Sequence, residues 1–283
     1  MATRKLLRQF LPKNRWGDRI YGRHSFRKRL GRDPVYPPVK FNDHLFAWKT
    51  SGACYDPLIQ FVTDKEYAKL YIAAIVGEEY VTETYRILQR KKELKELNLD
   101  RFPCILKPTH SSGQIMVCGD DSAPLDRTEL EKWFEIDYYY SKREPNYRHL
   151  SPKIIVEEFF SEDGHTIPKD YKIFCVHGIP KFIQVDGDRF SGHSRNLYDL
   201  SWNRIPAVYV YPNRKRDDPR PELLDMMLDA ARKLSAAFSF VRVDFYATKT
   251  EIRVGELTFF PESASGKLEP EEAENALGAY FSD

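Results

Sequence analysis

Two acidic residues near the end of the chain have the spacing of a cation site. Asp244 and Glu256 lie in two segments, 240–246 and 251–260, whose apolar and polar side chains alternate and predict a β-hairpin. With the turn centred near Lys249, the register places Arg242 opposite Glu256 and Asp244 diagonal to it, about 7–8 Å away at the backbone. Carboxylates at this separation can bind Mg²⁺ together with phosphate groups, and Arg242 can bind phosphate in a bidentate manner. The alternative is a solvated strand face with an ordinary Arg–Glu pair.

A lysine at the end of a buried strand indicates a phosphate site. The apolar run 102–106 predicts that strand, and Lys107 is followed by a small-residue turn containing Ser111, Ser112 and Gly113. A positive charge beside loop N–H groups is typical of phosphate binding, although the sequence lacks the pattern G-x-x-x-x-G-K-[ST]. The alternative is a lysine in a surface turn.

Three further charged residues stand at the ends of predicted elements. Glu157 and Glu158 end an apolar strand over 153–160, where carboxylates can accept hydrogen bonds from an adenine amino group or a ribose hydroxyl. Lys65 stands in the first turn of a helix that we expect Thr63 to cap. Helix N-termini favour anions, so a lysine there indicates an anion nearby. The alternatives are a charged strand end and an exposed lysine.

The elements that must position these residues predict an α+β fold with antiparallel sheets. Strands in hairpins, such as that over 171–185, alternate with separated helices, and the sequence contains no internal repeat. Proline and glycine pairs within 33–60 predict an extended connection, and the polar stretch 186–203 predicts a loop. An apolar stripe over 224–234 predicts one further helix.

Composition restricts the class of protein. The chain has 283 residues, of which 42% are hydrophobic and 30% charged, the balance of a soluble globular protein. We find neither an apolar run long enough to span a bilayer nor a secretion signal. The four cysteines form no C-x-x-C pair and have no zinc spacing, which predicts buried free thiols in the reducing cytoplasm.

The net charge of +2 conceals a basic N-terminus. Residues 1–32 carry eleven Lys/Arg and one acid, and the remainder carries 33 Lys/Arg against 41 Asp/Glu. With Phe10, Trp16, Tyr21 and Phe26, this arm is suited to an anionic membrane surface or an acidic glycan. The alternative is a basic segment packed against the acidic body. Nucleic acid is not favoured, because no binding motif accompanies the charge.

Taken in chain order, these features resemble the ATP-grasp superfamily. The sequence is similar in particular to the TupA-like ATP-grasp proteins of bacterial surface-polysaccharide clusters, over roughly residues 41–268. The segments that carry the resemblance are TDK at 63–65, ILKPTHSSG at 105–113, VEEFF at 156–160, DYKIFC at 170–175, FIQVDGDRF at 182–190, RNLYDLSW at 195–202, RVDFY at 242–246 and GELTFF at 255–260.

The resemblance implies an ATP-grasp fold, in which two α+β lobes clamp the nucleotide between antiparallel sheets. We therefore expect a basic arm over 1–40, a catalytic region over 41–268 with a small nucleotide lobe at roughly 100–157, and a tail over 269–283. The implied ligands are ATP, bound by Lys65, Lys107, Ser111, Ser112, Gly113, Glu157, Glu158 and Lys172, and Mg²⁺, bound by Asp244, Glu256 and Thr258, with Arg242 and Lys172 acting in catalysis.

Two positions depart from the pattern of the family. Thr258 stands where many members have asparagine, and a hydroxyl binds a metal more weakly or through water. Ser111 begins the Ser-Ser-Gly turn where the family often has His-Gly-Ser-Gly, and its Cβ restricts the backbone that would surround the phosphate.

The resemblance implies a cytoplasmic carboxylate–amine ligase that acts through an acyl phosphate in the synthesis of capsule or surface polysaccharide. Its substrates would be a small-molecule or glycan carboxylate, such as a uronic acid or amino acid, and an amine. The alternatives are a small-molecule or glycan kinase of the same fold and a non-catalytic glycan- or partner-binding module on a degenerate scaffold. We expect the acceptor at the loop 186–195, with Arg189, His193 and Arg195, and near Ser265 and Gly266; the alternative for that loop is a solvated segment with internal salt bridges.

Overall fold

A computed structural model describes residues 8–120, 122, 124–187 and 192–282. Within these residues, short 3-10 segments lie at 53–55, 78–80, 91–96, 145–147 and 261–264. The α-helices are α1 (Arg15–Leu30), α2 (Phe41–Lys49), α3 (Pro57–Thr63), α4 (Lys65–Val76), α5 (Arg127–Trp133), α6 (Tyr138–Lys142), α7 (Leu224–Ser235) and α8 (Glu271–Ala279). The strands are β1 (Thr84–Leu88), β2 (Cys104–Pro108), β3 (Met116–Cys118), β4 (Ile154–Glu158), β5 (Lys169–Val176), β6 (Ile179–Gly187), β7 (Ser194–Tyr198), β8 (Arg204–Ile205), β9 (Val208–Tyr209), β10 (Phe240–Ala247), β11 (Ile252–Thr258) and β12 (Leu268–Glu269).

The strands form two principal sheets, and all neighbouring strands run antiparallel. The small sheet has the order β1-β4-β2-β3, and the large sheet has the order β11-β10-β5-β6-β7-β8. A minor ribbon pairs β12 with β9. The predicted α+β class with antiparallel sheets is confirmed.

The large sheet packs one face against helices and carries charges on the other. Val241, Val243 and Phe245 of β10 are buried in the main core. Because successive strand side chains point to opposite faces, Arg242 and Asp244 lie on the second face. At one end of the strands the same face is apolar and forms a second core. There Phe174, Phe182 and Phe240 pack against Phe41 of α2 and Leu277 of α8. The main core also contains Ile173, Cys175, Ile183, Val185, Met227, Ala231 and Leu234.

The small sheet is built by the same alternation. Leu106 and Val156 pack with Leu130 of α5 in a separate core. The residues that follow them in β2 and β4, Lys107 and Glu157, therefore lie on the opposite face. Both sheets thus present a charged face backed by an apolar one, which is the arrangement needed to place charges along a cavity.

Three local predictions were wrong. The region 33–60 contains α2 and α3 rather than an extended connection, because Phe41, Leu45 and Phe46 form a buried helical face. Thr63 does not cap α4, since it ends α3 and donates its hydroxyl hydrogen bond to the carbonyl of Ile59.

Asp64 caps α4 instead, because its carboxylate accepts a hydrogen bond from the N–H of Glu66 at 3.0 Å.

The polar stretch 186–203 contains the buried strand β7, in which side chains such as Arg195 and Asn196 are hydrogen-bonded within the protein. The polar composition of this stretch therefore wrongly predicted a loop, because polar groups can be buried when they are hydrogen-bonded to one another.

The described part of the basic N-terminus is largely α1, which packs on the body of the protein. Tyr21 and Phe26 are buried, whereas Phe10 and Trp16 are exposed. The buried guanidinium of Arg143 donates to the carboxylate of Asp18 at 3.1 Å and to backbone carbonyls of the segment before α1. Within the described residues, every helix is too short or too polar to cross a bilayer.

Candidate active site

The acidic pair on β10 and β11 is closer than the sequence predicted. A β-bulge at Gly255 shifts the register, so Asp244 pairs directly with Glu256, and Arg242 pairs with Thr258. The predicted placement of Arg242 opposite Glu256 was therefore wrong. A turn centred between Lys249 and Thr250 and the extra residue of the bulge together move the acidic pair from diagonal to facing positions.

Each carboxylate of the pair is held by cations or a hydroxyl. Both oxygens of Asp244 accept hydrogen bonds from Arg242 at 2.6 Å, and Lys172 donates to the same carboxylate at 2.6 Å. Glu256 accepts from the hydroxyl of Thr258 at 2.8 Å. Burial raises the pKa of Asp244 against the opposing charges of Arg242 and Lys172. Burial also acts to raise the pKa of Glu256, but the positive charges of Lys65, Arg242 and Lys172 outweigh burial and hold this pKa at about 2.

Lys172 on the adjacent strand β5 is buried between two acids. It donates to Asp170 at 2.5 Å and to Asp244 at 2.6 Å. Burial lowers the pKa of Lys172, but the two carboxylates outweigh burial and raise the pKa above its ordinary value. The two carboxylates therefore favour the ammonium form of Lys172 beside the acidic pair.

On the small sheet, Glu157 is surrounded by lysines. Lys107 forms an ion pair with it, Lys69 pairs with it at 2.8 Å, and Thr82 donates to it at 3.3 Å. Burial acts to raise the pKa of Glu157, but the two lysines outweigh burial and lower it. Sequence reasoning missed Lys69, although its position one helical turn after Lys65 was a usable signal.

Lys65 joins the start of α4 to the serine turn. Its ammonium group donates to the carbonyl of Ser111 at 2.5 Å. The pKa of Lys65 is lowered, and burial of the ammonium group is the main cause. Ser111 is itself buried and donates its hydroxyl to Gln114, whereas Ser112 and Gly113 face open space beside the sheet.

Most of the predicted site residues meet in one cavity of about 870 Å³ between the two sheets. That volume suits a ligand the size of a nucleotide. Ser111, Arg242, Thr258, Ser265 and Gly266 do not line it, and Arg189 lies outside the described residues. The predicted residues that line the cavity are Lys65, Lys107, Ser112, Gly113, Glu157, Glu158, Lys172, His193, Arg195, Asp244 and Glu256.

At the end expected to hold the acceptor, Arg195 is already paired. It donates to both oxygens of Asp186, at 2.7 and 3.2 Å, and to Glu262 at 3.1 Å. Burial acts to raise the pKa of Asp186, but the guanidinium outweighs it and holds the pKa well below its usual range. The imidazole of His193 stacks on Tyr211, with ring centroids 3.7 Å apart.

Ser265 and Gly266 lie behind the cavity wall. The hydroxyl of Ser265 accepts a hydrogen bond from Arg29 at 3.3 Å, and the carbonyl of Gly266 accepts from Asn42 at 2.9 Å. A Cβ at Gly266 would approach Tyr209 within 2.6 Å, so close packing explains the glycine. Glu262, three residues earlier than Ser265, does line the cavity, and sequence reasoning missed it.

The donor set of the acidic pair fits magnesium. Within the described residues, no three His, Cys, Asp or Glu side chains converge as a complete metal site. Mg²⁺ is usually held by one or two carboxylates and takes its other ligands from water and phosphates. Asp244 and Glu256, with the hydroxyl of Thr258 hydrogen-bonded to Glu256, supply that number of hard oxygen donors.

Comparison with known proteins gives one family match and several structural likenesses. The sequence model of the family described as TupA-like ATPgrasp matches residues 47–282. No protein of curated function matches the chain.

Three solved structures illustrate the structural likeness. The D-alanine–D-alanine ligase of Bacillus anthracis is 16% identical with a TM-score of 0.44, and the alignment covers 70% of this chain and 57% of that one. The corresponding ligase of Helicobacter pylori is 16% identical with a TM-score of 0.42, with 78% and 58% covered. The ATP-grasp ligase PsnB, complexed with a minimal precursor, is 12% identical with a TM-score of 0.43, with 86% and 68% covered. The chain thus spans less than two thirds of the length of either D-alanine–D-alanine ligase.

Proposed function

Because this chain belongs to the TupA-like ATP-grasp family, we propose that it is an ATP-dependent carboxylate–amine ligase. The observation that carries the proposal is the single cavity lined by the paired carboxylates of Asp244 and Glu256 and by the ammonium groups of Lys65 and Lys107. A triphosphate with its cation requires this combination of separated positive charges and hard oxygen donors.

In the proposed complex, the lysines of the cavity bind the phosphates of ATP. Lys65 and Lys107 approach from α4 and the small sheet, and Lys172 from the large sheet. Glu157 and Glu158 lie at the end of β4, where their carboxylates suit the adenine amino group and the ribose hydroxyls. The turn with Ser112 and Gly113 offers backbone N–H groups to the phosphates.

Asp244 and Glu256 would hold magnesium, with the hydroxyl of Thr258 as a further donor. When bound, the ion neutralises phosphate oxygens and stabilises the charge that develops during phosphoryl transfer. The guanidinium of Arg242 and the ammonium of Lys172 hold the carboxylate of Asp244 in place. Lys172, which lines the cavity, also stabilises negative charge on the transferred phosphoryl group, whereas Arg242 acts on that charge from behind the carboxylate of Asp244.

The proposed reaction has two steps. A carboxylate oxygen of the acid attacks the γ-phosphorus of ATP, the bond to the β-γ bridging oxygen breaks, and ADP leaves with an acyl phosphate remaining. The nitrogen of an amine then attacks the acyl carbon, phosphate leaves with the C–O bonding electrons, and the nitrogen loses a proton to give the amide. The protein contributes mainly orientation and charge stabilisation.

A coupled assay tests the proposal. Amino acids and uronic acids are screened pairwise with amines for magnesium-dependent ADP release, and each acid is also tested with hydroxylamine, which traps an acyl phosphate as a hydroxamate. ADP release that requires both an acid and an amine supports the ligase. A stable phosphomonoester product would instead identify the kinase alternative. Absence of magnesium-dependent ATP binding in calorimetry would favour the non-catalytic binding module.

The resemblance to TupA-like proteins supports a cytoplasmic role in bacterial capsule or surface-polysaccharide synthesis. In that setting the acid is a uronic acid or an amino acid, and the product is an amide on a glycan or its precursor. Deletion of the coding gene, followed by analysis of the surface polysaccharide, tests this assignment. Loss of an amide-linked substituent is the expected result, and an unchanged polysaccharide contradicts it.

The exposed face of α1 supports a peripheral contact with an anionic membrane. Arg15, Arg19, Arg23 and Arg27 recur at four-residue spacing and are exposed, and Trp16 beside them is 63% exposed. Asp33 pairs with Arg23 at 3.1 Å, and an anionic partner would relieve the repulsion that remains among the other three arginines. We expect co-sedimentation with vesicles containing phosphatidylglycerol but not with phosphatidylcholine alone. Charge reversal at Arg19 and Arg27 should abolish it, and unchanged binding would contradict the contact.

A further inference from the structure

The turn after β11 holds three consecutive residues in a left-handed backbone. Glu262, Ser263 and Ala264 have φ values of 51°, 58° and 59°. Left-handed backbone is strained for residues with a Cβ, and glycine would adopt it without that strain. Three residues that carry side chains therefore occupy a strained conformation here, and backbone strain of this kind is frequent at functional sites.

Contacts from three other elements hold this turn in place. Arg29 of α1 donates to the carbonyl of Glu262 at 2.7 Å, and Lys49 of α2 donates to the carbonyl of Ser263 at 3.2 Å. The hydroxyl of Ser263 donates to the buried carboxylate of Glu144 at 2.5 Å. Because each contact fixes a different group, the direction of the Glu262 side chain is set by the surrounding fold.

The carboxylate of Glu262 faces the cavity with incomplete charge compensation. Its ion pair is a single contact of 3.1 Å with Arg195, whose guanidinium also binds both oxygens of Asp186. Arg195 further stacks on two aromatic rings, with its guanidinium 5.3 Å from Tyr209 and 4.8 Å from Tyr211. Asp186 is also bound by the amide of Gln184 and lies 3.6 Å from His193, whereas Arg195 is the one cation that contacts the carboxylate of Glu262 among the described residues.

Glu262 also lies near the proposed reaction centre. Its carboxylate lines the same cavity as Asp244 and Glu256. The cavity volume of about 870 Å³ suits a ligand the size of a nucleotide, so one bound substrate can contact Glu262 and still reach the acidic pair.

From this geometry we infer that Glu262 binds the cationic amine of the acceptor substrate. This inference rests on the proposed ligase function and identifies the acceptor class as a molecule with a basic amine, which binds as its ammonium ion and loses one proton to water before its nitrogen attacks. It also reassigns Arg195. Instead of gripping a substrate carboxylate, Arg195 orients Glu262 and Asp186. Arg29 acts through the backbone of the turn and is a positioning residue.

The test compares two nucleophiles in the Glu262→Gln variant. The first is the amine that gives the greatest acid-dependent ADP release with the wild-type protein. The second is hydroxylamine, which is uncharged at neutral pH and needs no ammonium site. We expect KM for the amine to rise about tenfold to hundredfold, as for a lost charge-assisted hydrogen bond. Hydroxamate formation and the Kd for ATP should stay at wild-type values.

Two further variants separate recognition from folding. Glu262→Asp keeps the charge and should give an intermediate KM for the amine. Arg29→Met should raise the same KM without changing the Kd for ATP, because it releases the carbonyl of Glu262. The matched control is Glu269→Gln, an exposed glutamate paired with Lys267, which should leave all parameters unchanged.

The outcomes distinguish this inference from the ligase proposal. Equal losses with the amine and with hydroxylamine in Glu262→Gln would overturn the inference, because they would place Glu262 in acid activation. An unchanged KM for the amine would overturn it as well. Wild-type protein that forms neither hydroxamate nor acid-dependent ADP would instead refute the ligase function itself.

Discussion

The two walls of the cavity differ in their balance of charges. On the small-sheet side, three lysines, Lys65, Lys69 and Lys107, accompany the two acids Glu157 and Glu158. On the large-sheet side, acids outnumber cations, since Lys172 and Arg242 are set among Asp170, Asp244 and Glu256. This asymmetry predicts that phosphates lie toward the small sheet and their cation toward the large one.

Both walls are made in the same way despite their different charges. Each sheet buries alternate residues against helices and so projects the residues between them into the cavity. Burial makes every charge on these walls costly unless it is paired. The pairing within each wall therefore stabilises the fold and, at the same time, keeps the charged groups in place for a ligand.

The largest expected effect concerns the acidic wall. Asp244→Asn and Glu256→Gln should each reduce ATP turnover by about a thousandfold, because each removes an oxygen donor from the proposed magnesium site. Magnesium-dependent ADP release measures the loss, and circular dichroism checks that the fold is retained. Glu269→Gln, on an exposed glutamate, should behave as wild type. Full turnover in both variants would eliminate the metal site.

Breaking the buried ion pair of Arg195 and Asp186, at the acceptor end of the cavity, should lower the stability of the fold most. Arg195→Met leaves Asp186 buried without its guanidinium partner, and the side chains are only 4% and 2% exposed. The free energy of unfolding in urea should fall by about 3–5 kcal/mol. Arg220→Met breaks the exposed pair with Asp225 and should cost less than about 1 kcal/mol. Similar losses in both variants would contradict this account of the wall.

The basic wall should respond unequally to the loss of its lysines. Lys107→Met should weaken ATP binding by about tenfold to hundredfold, because it removes a charge that lines the cavity. Lys69→Met should have a smaller effect, since Lys69 acts through Glu157. Calorimetric titration with Mg-ATP measures both, with Lys132→Met on an exposed lysine as the control. A larger effect at Lys69 would mean that Lys69 contacts the phosphates.

The smallest expected effect comes from the β-bulge that sets the acidic pair. A Cβ at Gly255 would lie 2.7 Å from the ring of Tyr246, so Gly255→Ala should cost about 1–3 kcal/mol of stability and weaken magnesium-dependent ATP binding. At Gly119 an added Cβ meets nothing within 4 Å, so Gly119→Ala should change the stability by less than about 0.5 kcal/mol. Equal stability in the two variants would show that the bulge tolerates a side chain.

Part of the candidate site followed from strand alternation. The polar residues of β10 and β11 project from one face because every second residue is apolar, and this pattern is visible in the sequence, whereas Lys107 and Glu157 were predicted from their places at the ends of apolar runs. The helical region at 41–63 and the strand β7 were missed. Their buried polar groups, such as Asn42 and Asn196, are satisfied by partners distant in the sequence, so local composition gave no sign of burial.

The sequence by itself determined the α+β class, the family, and part of the set of lysines and acids that meet in the cavity, because alternation and ordered motifs are local properties of the chain. Only the tertiary structure decided three further features. The bulge at Gly255 brought Asp244 face to face with Glu256. Helix α4 carried Lys69 to Glu157. Contacts from α1 and α2 fixed the strained turn that presents Glu262. Each depends on groups far apart in the chain, whose pairing local sequence patterns do not encode.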